Sequence, residues 1–283
     1  MKKRPLTVVI ILLFIADLVL IAILLRGERG VLTVSFLDVG QGDAVLIEAP
    51  NGNQLLYDAG PPSGAVLREL ARVMPFYDRS IDVAVFSHPD MDHIGGFLDV
   101  LRRYKVDVVM ESGATSDNGI YDATTAAIAH EDAGHLIARK GMTINLGGGV
   151  FADIMYPDRD MATMDTNSAS IVMRVRYGDT AFLFSGDLPK GIEEYQASIM
   201  GDGLRANVLK LGHHGSRTSS SEYWLAAVAP EVAVISAAKG NSYGHPHPEV
   251  LALLSKLAIP HLGTYDEGTI TFASDGTRVV RKD

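Results

Sequence analysis

Four potential metal ligands lie within six residues of one another, in the segment His88-Pro89-Asp90-Met91-Asp92-His93. The segment directly follows Val83-Ala84-Val85-Phe86, an apolar run that is typical of a buried strand. A loop after such a strand can turn imidazole nitrogens and carboxylate oxygens toward one or two divalent ions. The alternative is an acidic turn in solvent, but two histidines and two aspartates at this density favour a metal site.

Composition restricts the chemistry that is open to the rest of the chain. The 283 residues include no cysteine, which excludes thiolate metal sites, disulfides and cysteine nucleophiles. Of the 25 basic and 34 acidic residues, five and two lie in the first 30 positions, so residues 31–283 carry a net charge of −12. Such a domain does not hold nucleic acid by bulk electrostatic attraction. The small cluster Arg102, Arg103 and Lys105 is more typical of a solvated helix face.

The N-terminus has the pattern of a membrane anchor. Basic residues at positions 2–4 precede an apolar run from Leu6 to Leu25, about 30 Å long as a helix. No small-residue cleavage site follows, which favours a retained anchor over a cleaved signal peptide. Asp17 within the run would need a partner or a proton. We expect residues 1–30 to form a single-pass anchor and residues 31–283 to form one catalytic domain outside the cytoplasm.

Beyond position 30 the sequence alternates between short strand and helix patterns. The predicted strands are 31–38, 44–48, 54–58, 83–86, 142–146, 150–155, 170–177, 180–185, 206–211 and 232–236, with closing strands to 280. The predicted helices are 65–74, 94–104, 120–139, 189–200, 221–228 and 248–257. This mixture along the whole domain predicts an α+β architecture of layered sheets covered by helices.

Four segments, taken in order, resemble one family. Ser87-His88-x-Asp90-x-Asp92-His93-x-Gly95-Gly96 resembles the His-x-His-x-Asp-His signature of the metallo-β-lactamase superfamily, with aspartate in place of the second histidine. Segments 37–43 (Leu-Asp-Val-Gly-Gln-Gly-Asp), 184–187 (Phe-Ser-Gly-Asp) and 209–216 (Leu-Lys-Leu-Gly-His-His-Gly-Ser) accompany it. Together they resemble the extracellular hydrolase domain of the ComEC family of competence proteins, over about residues 31–280. The resemblance implies an αββα sandwich with a two-metal site along one edge.

The resemblance also implies a set of metal ligands. They are His88, Asp90, Asp92, His93, Asp187 and one of the pair His213 and His214. The first two would bind one ion, the next two would bind the other, and Asp187 would bridge them. The sequence does not separate the last two histidines, although His213 is favoured because it comes first after the strand. Asp43 and Asp58 would support the ligands without binding metal.

Two departures from the superfamily pattern affect the metal. The usual histidine between the His88 loop and Asp187 is missing, and we expect His130 and His135 to occupy an ordinary face of the predicted helix 120–139. That interval contains Asn167-Ser168-Ala169-Ser170, which resembles an Asn-x-x-Ser segment of the ComEC branch, so one ion would have fewer protein ligands. Asp90 adds oxygen, which favours manganese or magnesium, while the general order of affinity favours zinc. The expected cofactor is two divalent ions, Zn²⁺ or Mn²⁺.

The catalytic roles follow from this ligand set. Metal at such a site lowers the pKa of a water and polarises the substrate. Asp92 and Asp187 are the predicted catalytic carboxylates, and His245 is the predicted proton donor or substrate contact, unless it only packs its loop. The predicted donors to a phosphoryl oxygen are Asn167, Ser170, Ser216 and the start of a helix near Ser219–Ser221.

Three hypotheses fit these residues. The first is a metal-dependent phosphodiesterase that acts on DNA, with single-stranded DNA as a candidate, anchored through residues 6–25 beside a DNA-uptake channel. The second is a hydrolase of another ester, such as a phosphorylcholine ester or a lactone; Asp90 disfavours a β-lactam. The third is a membrane-anchored binding module without enzymatic activity, and the presence of the metal-type residues named above argues against it.

Overall fold

The computed structural model describes residues 4–25, 30–131 and 133–282. Within them the strands are β1 (Leu32–Phe36), β2 (Ala44–Glu48), β3 (Gln54–Ala59), β4 (Ser80–Phe86), β5 (Lys105–Glu111), β6 (Gly134–Ile137), β7 (Thr143–Gly147), β8 (Val150–Tyr156), β9 (Val172–Tyr177), β10 (Thr180–Phe184), β11 (Val208–Lys210), β12 (Val232–Ile235), β13 (His261–Gly263), β14 (Ile270–Ser274) and β15 (Val279–Lys282). The helices are α1 (Arg4–Leu25), α2 (Ala65–Val73), α3 (Met91–Ile94), α4 (Phe97–Arg103), α5 (Gly119–His130), α6 (Lys190–Met200), α7 (Glu222–Val228), α8 (Pro248–Lys256) and α9 (Thr264–Glu267). Short 3₁₀ turns occupy Asn167–Ala169, Gly201–Leu204 and Gly212–Gly215.

The strands form two mixed sheets that pack face to face. The first sheet has the order β15-β14-β1-β2-β3-β4-β5-β6, and the second has the order β13-β12-β11-β10-β9-β8-β7. Each contains a parallel section, β3 to β6 in the first and β10 to β13 in the second. Buried apolar side chains from both sheets meet between them, among them Phe36, Tyr57, Phe184 and Phe272. This inner layer is the main hydrophobic core.

Helices cover the outer faces of both sheets. On the first sheet, buried residues of α2 and α4, such as Leu70 and Phe97, pack over β3 and β4. On the second sheet, Trp224 of α7 and Leu254 of α8 belong to a separate buried layer. The predicted sandwich of two sheets between helices is therefore confirmed.

The N-terminal helix α1 has exposed apolar side chains from Val8 to Leu20. Across the residues whose side chains are described, which in α1 are 7–20, no helix combines the length and the apolarity that a bilayer crossing requires. The single-pass anchor stays a prediction, and the basic residues Lys2 and Lys3 lie outside the described residues.

The chain departs from the predicted elements between positions 94 and 139. The predicted helix 94–104 is divided into α3 and α4 at Gly95 and Gly96, and a Cβ on Gly96 would overlap the carbonyl oxygen of Ala59. The prediction also lacked β5, and the predicted helix 120–139 is wrong beyond His130, where β6 follows. Parallel pairing of β6 with β5 explains this difference, because tertiary pairing outweighs a local helical pattern.

Candidate metal centre

Loops at one edge of the sandwich bring the predicted ligands together. The segment His88–His93 follows β4, Asp187 follows β10, and His213 and His214 follow β11. Each of these three strands lies in the parallel section of its sheet, so the loops after their carboxyl ends can meet at one edge. Close approach of the backbone helps, since Asp43 donates its backbone N–H to the carbonyl of Asp92.

Asp187 lies at the centre of the group. Its Oδ1 is 3.3 Å from Nε2 of His93. Its Oδ2 is 3.4 Å from Nε2 of His213 and 3.7 Å from Nε2 of His214. Nε2 of His88 is 4.0 Å from the same oxygen. A carboxylate that reaches four imidazoles is placed to bridge two ions.

The remaining aspartates extend the group on both sides. Asp90 Oδ2 lies 3.5 Å from Nε2 of His88, and Asp92 Oδ2 lies 3.2 Å from Nε2 of His214. Two overlapping sets of donor atoms, each within 4.8 Å, can hold metal. They are His88, His93 and Asp187, and Asp92, His93 and His214. Two further sets overlap these and include the predicted supporting aspartates: Asp43 with Asp187 and His214, and Asp43 with Asp58 and His93.

The donor atoms at this centre fit divalent metal. In the part of the chain that the structure describes, Nε2 of His88, His93 and His214 and Oδ1 of Asp187 are buried and make no hydrogen bond. Leaving such atoms unsatisfied costs about 1–3 kcal/mol each, and coordination of a cation removes that cost. Nitrogen and carboxylate oxygen are ligands that suit both zinc and manganese.

The electrostatics of the centre also favour a cation. Burial would raise the pKa of Asp187, but His93 and His214 hold it well below its ordinary value. Burial would lower the pKa of His214, but Asp187 and Asp43 raise it to about 9. The pKa of His93 is raised well above its ordinary value, against burial, by Asp187, Asp58 and Asp92. The carboxylates that stabilise the protonated form of these rings would also stabilise a metal cation bound in place of the protons.

Asp58 supports the His88 loop from β3. It has a positive φ of 58° and is fully buried. Its carboxylate accepts hydrogen bonds from the backbone N–H of Ser87 (2.8 Å) and from the Ser87 hydroxyl (2.7 Å). The same carboxylate lies 2.9 Å from Nδ1 of His93. This contact orients the ring and leaves Nε2 free for metal, which is the geometry of the predicted supporting role.

Asp43 supports the opposite side through a contact that the sequence analysis missed. Its Oδ1 is 3.2 Å from Nδ1 of His214, and its Oδ2 is 2.7 Å from Nζ of Lys210. All three side chains are buried, and the lysine also donates to the carbonyl of Leu211 at 2.9 Å. Lys210 had no predicted role; its signal was a charged residue within the predicted apolar strand 206–211, where burial requires a partner.

The structure gives the adjacent residues His213 and His214 different surroundings. Both have left-handed backbone conformations, with φ of 48° at His213 and 53° at His214, which is uncommon outside glycine and concentrates at functional sites. His214 is buried and belongs to the donor sets, and its Nδ1 also contacts the carbonyl of Ser236 at 3.0 Å. His213 is partly exposed and its Nδ1 contacts the Thr218 hydroxyl at 3.0 Å. The geometry therefore favours His214 as the ligand, against the preference for His213.

The predicted substrate-binding side chains have different surroundings. Ser170 is buried; its hydroxyl accepts the backbone N–H of Asp187 at 3.0 Å and lies 3.4 Å from Nδ1 of His88. Ser216 is buried too, and its hydroxyl bonds to that of Thr218. Both positions favour support of the ligands over substrate contact. Asn167 keeps a buried Oδ1 without a hydrogen bond among the described residues, so substrate contact stays a prediction for this residue.

The helix start at Ser219–Ser221 is not available to a phosphoryl oxygen. The backbone N–H groups of Ser220 and Ser221 each donate to the buried carboxylate of Glu193 at 2.8 Å. The Ser221 hydroxyl accepts the backbone N–H of Trp224 as the N-cap of α7. The predicted role of this turn is therefore wrong, because an internal carboxylate already occupies its donors.

His245 lies beside the centre in the loop after β12. Its ring centroid is 5.5 Å from that of His213 and 6.2 Å from that of His214. Burial and the neighbouring His214 and His213 lower its pKa to about 4, so the ring is neutral at pH 7. A neutral ring in this position suits a hydrogen bond to substrate better than proton donation. His135 contacts Glu111 on β5 instead, and neither it nor His130 belongs to a donor set among the described residues.

Comparison with known proteins agrees with this architecture. The family model "Metallo-beta-lactamase superfamily" matches residues 37–239, which include every ligand described above. The chain belongs to the metallo-beta-lactamase superfamily. Two solved structures share the superfamily fold: Tm1679, a metal-dependent hydrolase (14% identity, TM-score 0.54, 84% of this chain and 98% of that one), and YhfI from Bacillus subtilis (11% identity, TM-score 0.53, 82% and 95%).

Curated relatives support the resemblance to competence proteins. ComE operon protein 3 of Bacillus subtilis is 30% identical over 84% of this chain and 32% of its own length. Competence protein ComA of Neisseria gonorrhoeae is 34% identical over 84% and 32%, and Recombination protein 2 of Haemophilus influenzae is 31% identical over 86% and 29%. The chain thus spans about a third of the length of these relatives. The similarity to the ComEC family is confirmed for the metallo-beta-lactamase domain.

Proposed function

We propose that this chain is a metal-dependent phosphodiesterase that hydrolyses DNA, with single-stranded DNA as its substrate. The observation that carries the proposal is the convergence of four unsatisfied donor atoms, from His88, His93, His214 and Asp187, at one sheet edge. Likeness to proteins named for competence and recombination supports DNA as the substrate. The oxygen of Asp90 beside His88 supports a centre that accepts manganese as well as zinc.

Different residues of the site would bind the metal ions and contact the substrate. His88, Asp90 and Asp187 would hold one ion, and Asp92, His93, His214 and Asp187 would hold the other. Bound metal would supply Lewis acidity and a water of lowered pKa. Asp187, at the centre of the group, would orient the attacking water. His213 and His245 line the partly exposed side, where their rings could donate or accept hydrogen bonds at the phosphodiester.

A substrate panel tests this function. The purified full chain, loaded with Mn²⁺ or Zn²⁺, is incubated with single-stranded DNA, bis-p-nitrophenyl phosphate, a phosphorylcholine ester, a lactone and a β-lactam. We expect hydrolysis of the two phosphodiesters, and loss of at least about 100-fold in Asp187→Ala, because this carboxylate serves both ions. Protein with bound metal that leaves both diesters intact would contradict the proposal. Selective turnover of the phosphorylcholine ester or the lactone would support the second hypothesis instead.

The proposal includes a location at the cell membrane. The apolar segment 6–25 and the resemblance to ComEC proteins support single-pass attachment with the metal edge outside the cytoplasm. A DNA-uptake channel is the partner that this location favours. Washing of isolated membranes with alkaline carbonate tests the attachment: release of the chain with the peripheral proteins would contradict it.

A further inference from the structure

The loop after β12 carries an exposed aromatic side chain near the metal centre. Asn241 organises the loop: its Oδ1 accepts the backbone N–H of Tyr243 at 3.1 Å and of His245 at 3.0 Å. Its Nδ2 donates to the carbonyls of Ala238 and His245. His247 then donates its backbone N–H to the carbonyl of Gly215 at 2.9 Å, which ties the loop to the turn that carries His214.

Tyr243 is the exposed member of this loop. Its side chain is 65% exposed, yet its ring is stacked on His245 with a centroid distance of 5.7 Å and an interplanar angle of 22°. His245 in turn lies 5.5 Å from His213, whose Nε2 is 3.4 Å from Asp187. An aromatic ring is therefore exposed to solvent and stacked on His245, whose ring centroid is 6.2 Å from that of the candidate ligand His214.

The charge of the domain makes such a ring important. Residues 31–283 carry a net charge of −12, so attraction of the phosphate backbone contributes little to binding a nucleic acid strand. Stacking of a base on an aromatic side chain contributes about 1–3 kcal/mol per base and tolerates any sequence. Bases in a duplex are already stacked on one another, so this contribution is available only to an unpaired base.

We propose that Tyr243, supported by His245, is a stacking site for an unpaired nucleobase of a strand whose phosphodiester lies at the metal centre. This inference rests on the proposed function and names the side chain that would contact an unpaired base of its single-stranded substrate. The site selects unpaired strands over duplex and over diesters without bases. Because stacking replaces ionic attraction, binding depends only weakly on salt.

The test compares a strand that has bases with one that has none near the cut. The first substrate is a short single-stranded oligonucleotide, and the second is the same strand with abasic residues around the scissile phosphate. For the wild-type full chain with Mn²⁺, we expect KM to be ~5- to 150-fold lower for the base-containing strand, as the stacking energy implies. In Tyr243→Ala this ratio falls toward one with little change in kcat, and Tyr243→Phe retains it. Tyr77→Ala, which removes an exposed tyrosine between α2 and β4, retains it as the matched control.

A binding measurement separates this inference from the proposed function. Fluorescence anisotropy of the two labelled strands in the presence of chelator, where no cleavage occurs, gives Kd without activity. A preference for the base-containing strand that Tyr243→Ala abolishes supports the stacking site, even if no phosphodiester is hydrolysed. Equal Kd values for the two strands, or no binding of either up to about 1 mM, would overturn it.

Discussion

Two buried aspartates, Asp58 and Asp43, support the ligands of the metal centre, and they differ in the groups that they contact. Asp58 lies in the first sheet and meets Ser87 and His93 from the loop after the neighbouring strand. Asp43, which precedes β2 in the same sheet, reaches across to Lys210 and His214 on the second sheet. The first support is local and uses a backbone amide, a hydroxyl and an imidazole; the second joins the two sheets through a buried lysine.

Because of this difference, we expect Asp58 to affect mainly metal affinity and Asp43 to affect mainly the stability of the fold. Asp58 fixes the ring of His93, so its main effect is on metal affinity. Asp43 and Lys210 place opposite charges in the interior, where removal of one partner leaves the other uncompensated. Burial would raise the pKa of Asp43, but Lys210 and then His214 lower it well below its ordinary value, so this carboxylate is charged across the physiological range. The Asp43 support should therefore matter most to the folded state.

The largest effect is expected from Lys210→Met. We expect the free energy of unfolding, measured on protein kept metal-free with a chelator, to fall by about 3 kcal/mol. The reason is that the Asp43 carboxylate stays buried without its main partner, Lys210. Urea denaturation measures the change. Lys256→Met is the matched control, since Lys256 is exposed and pairs with exposed Glu222, and it should cost less than about 1 kcal/mol.

Restoring charge balance sharpens this test. The double variant Asp43→Asn with Lys210→Met removes both charges and should recover part of the lost stability. Equal losses in Lys210→Met and Lys256→Met would show that the buried pair does not join the sheets in the way described.

A smaller effect on stability, and a larger one on metal, is expected from Asp58→Ala. The ring of His93 loses the acceptor that orients it, so metal affinity should fall about 10- to 100-fold. Competition with a fluorescent chelator measures the affinity. Asp82→Ala is the control, because Asp82 lies in β4 and accepts the backbone N–H of Gln54, away from the ligands. An unchanged metal affinity in Asp58→Ala would show that Asp58 does not orient His93 for metal binding.

The sequence predicted the ligand loop well because its chemistry is local. His88 to His93 lie in six consecutive positions after an apolar strand, and the structure places them as expected. The pairing of Lys210 with Asp43 joins segments that are distant along the chain, so no local pattern could specify it. The choice between His213 and His214 depends on two successive left-handed residues, a conformation that their residue types do not encode.

The edge strand β6 and the side chain of Ser170 likewise depend on contacts that a local sequence pattern does not specify. Within the predicted helix 120–139, residues 134–137 form the strand β6 instead, because they pair in parallel with β5. The hydroxyl of Ser170, expected to face substrate, lies instead against His88 and Asp187. Sequence patterns predicted most of the residues that the structure gathers at this edge. The pairing of Lys210 with Asp43, the position of His214 and the orientation of Ser170 depended on tertiary contacts.

Metal content tests the two-metal centre most directly. The full chain is equilibrated with Mn²⁺ or Zn²⁺, dialysed, and analysed by inductively coupled plasma mass spectrometry alongside Asp187→Ala. We expect about two ions per wild-type chain and no more than about one in the variant, because Asp187 contacts both donor sets. Wild-type protein that binds no metal, or an Asp187→Ala variant that keeps both ions, would contradict a two-metal centre at this edge of the sandwich.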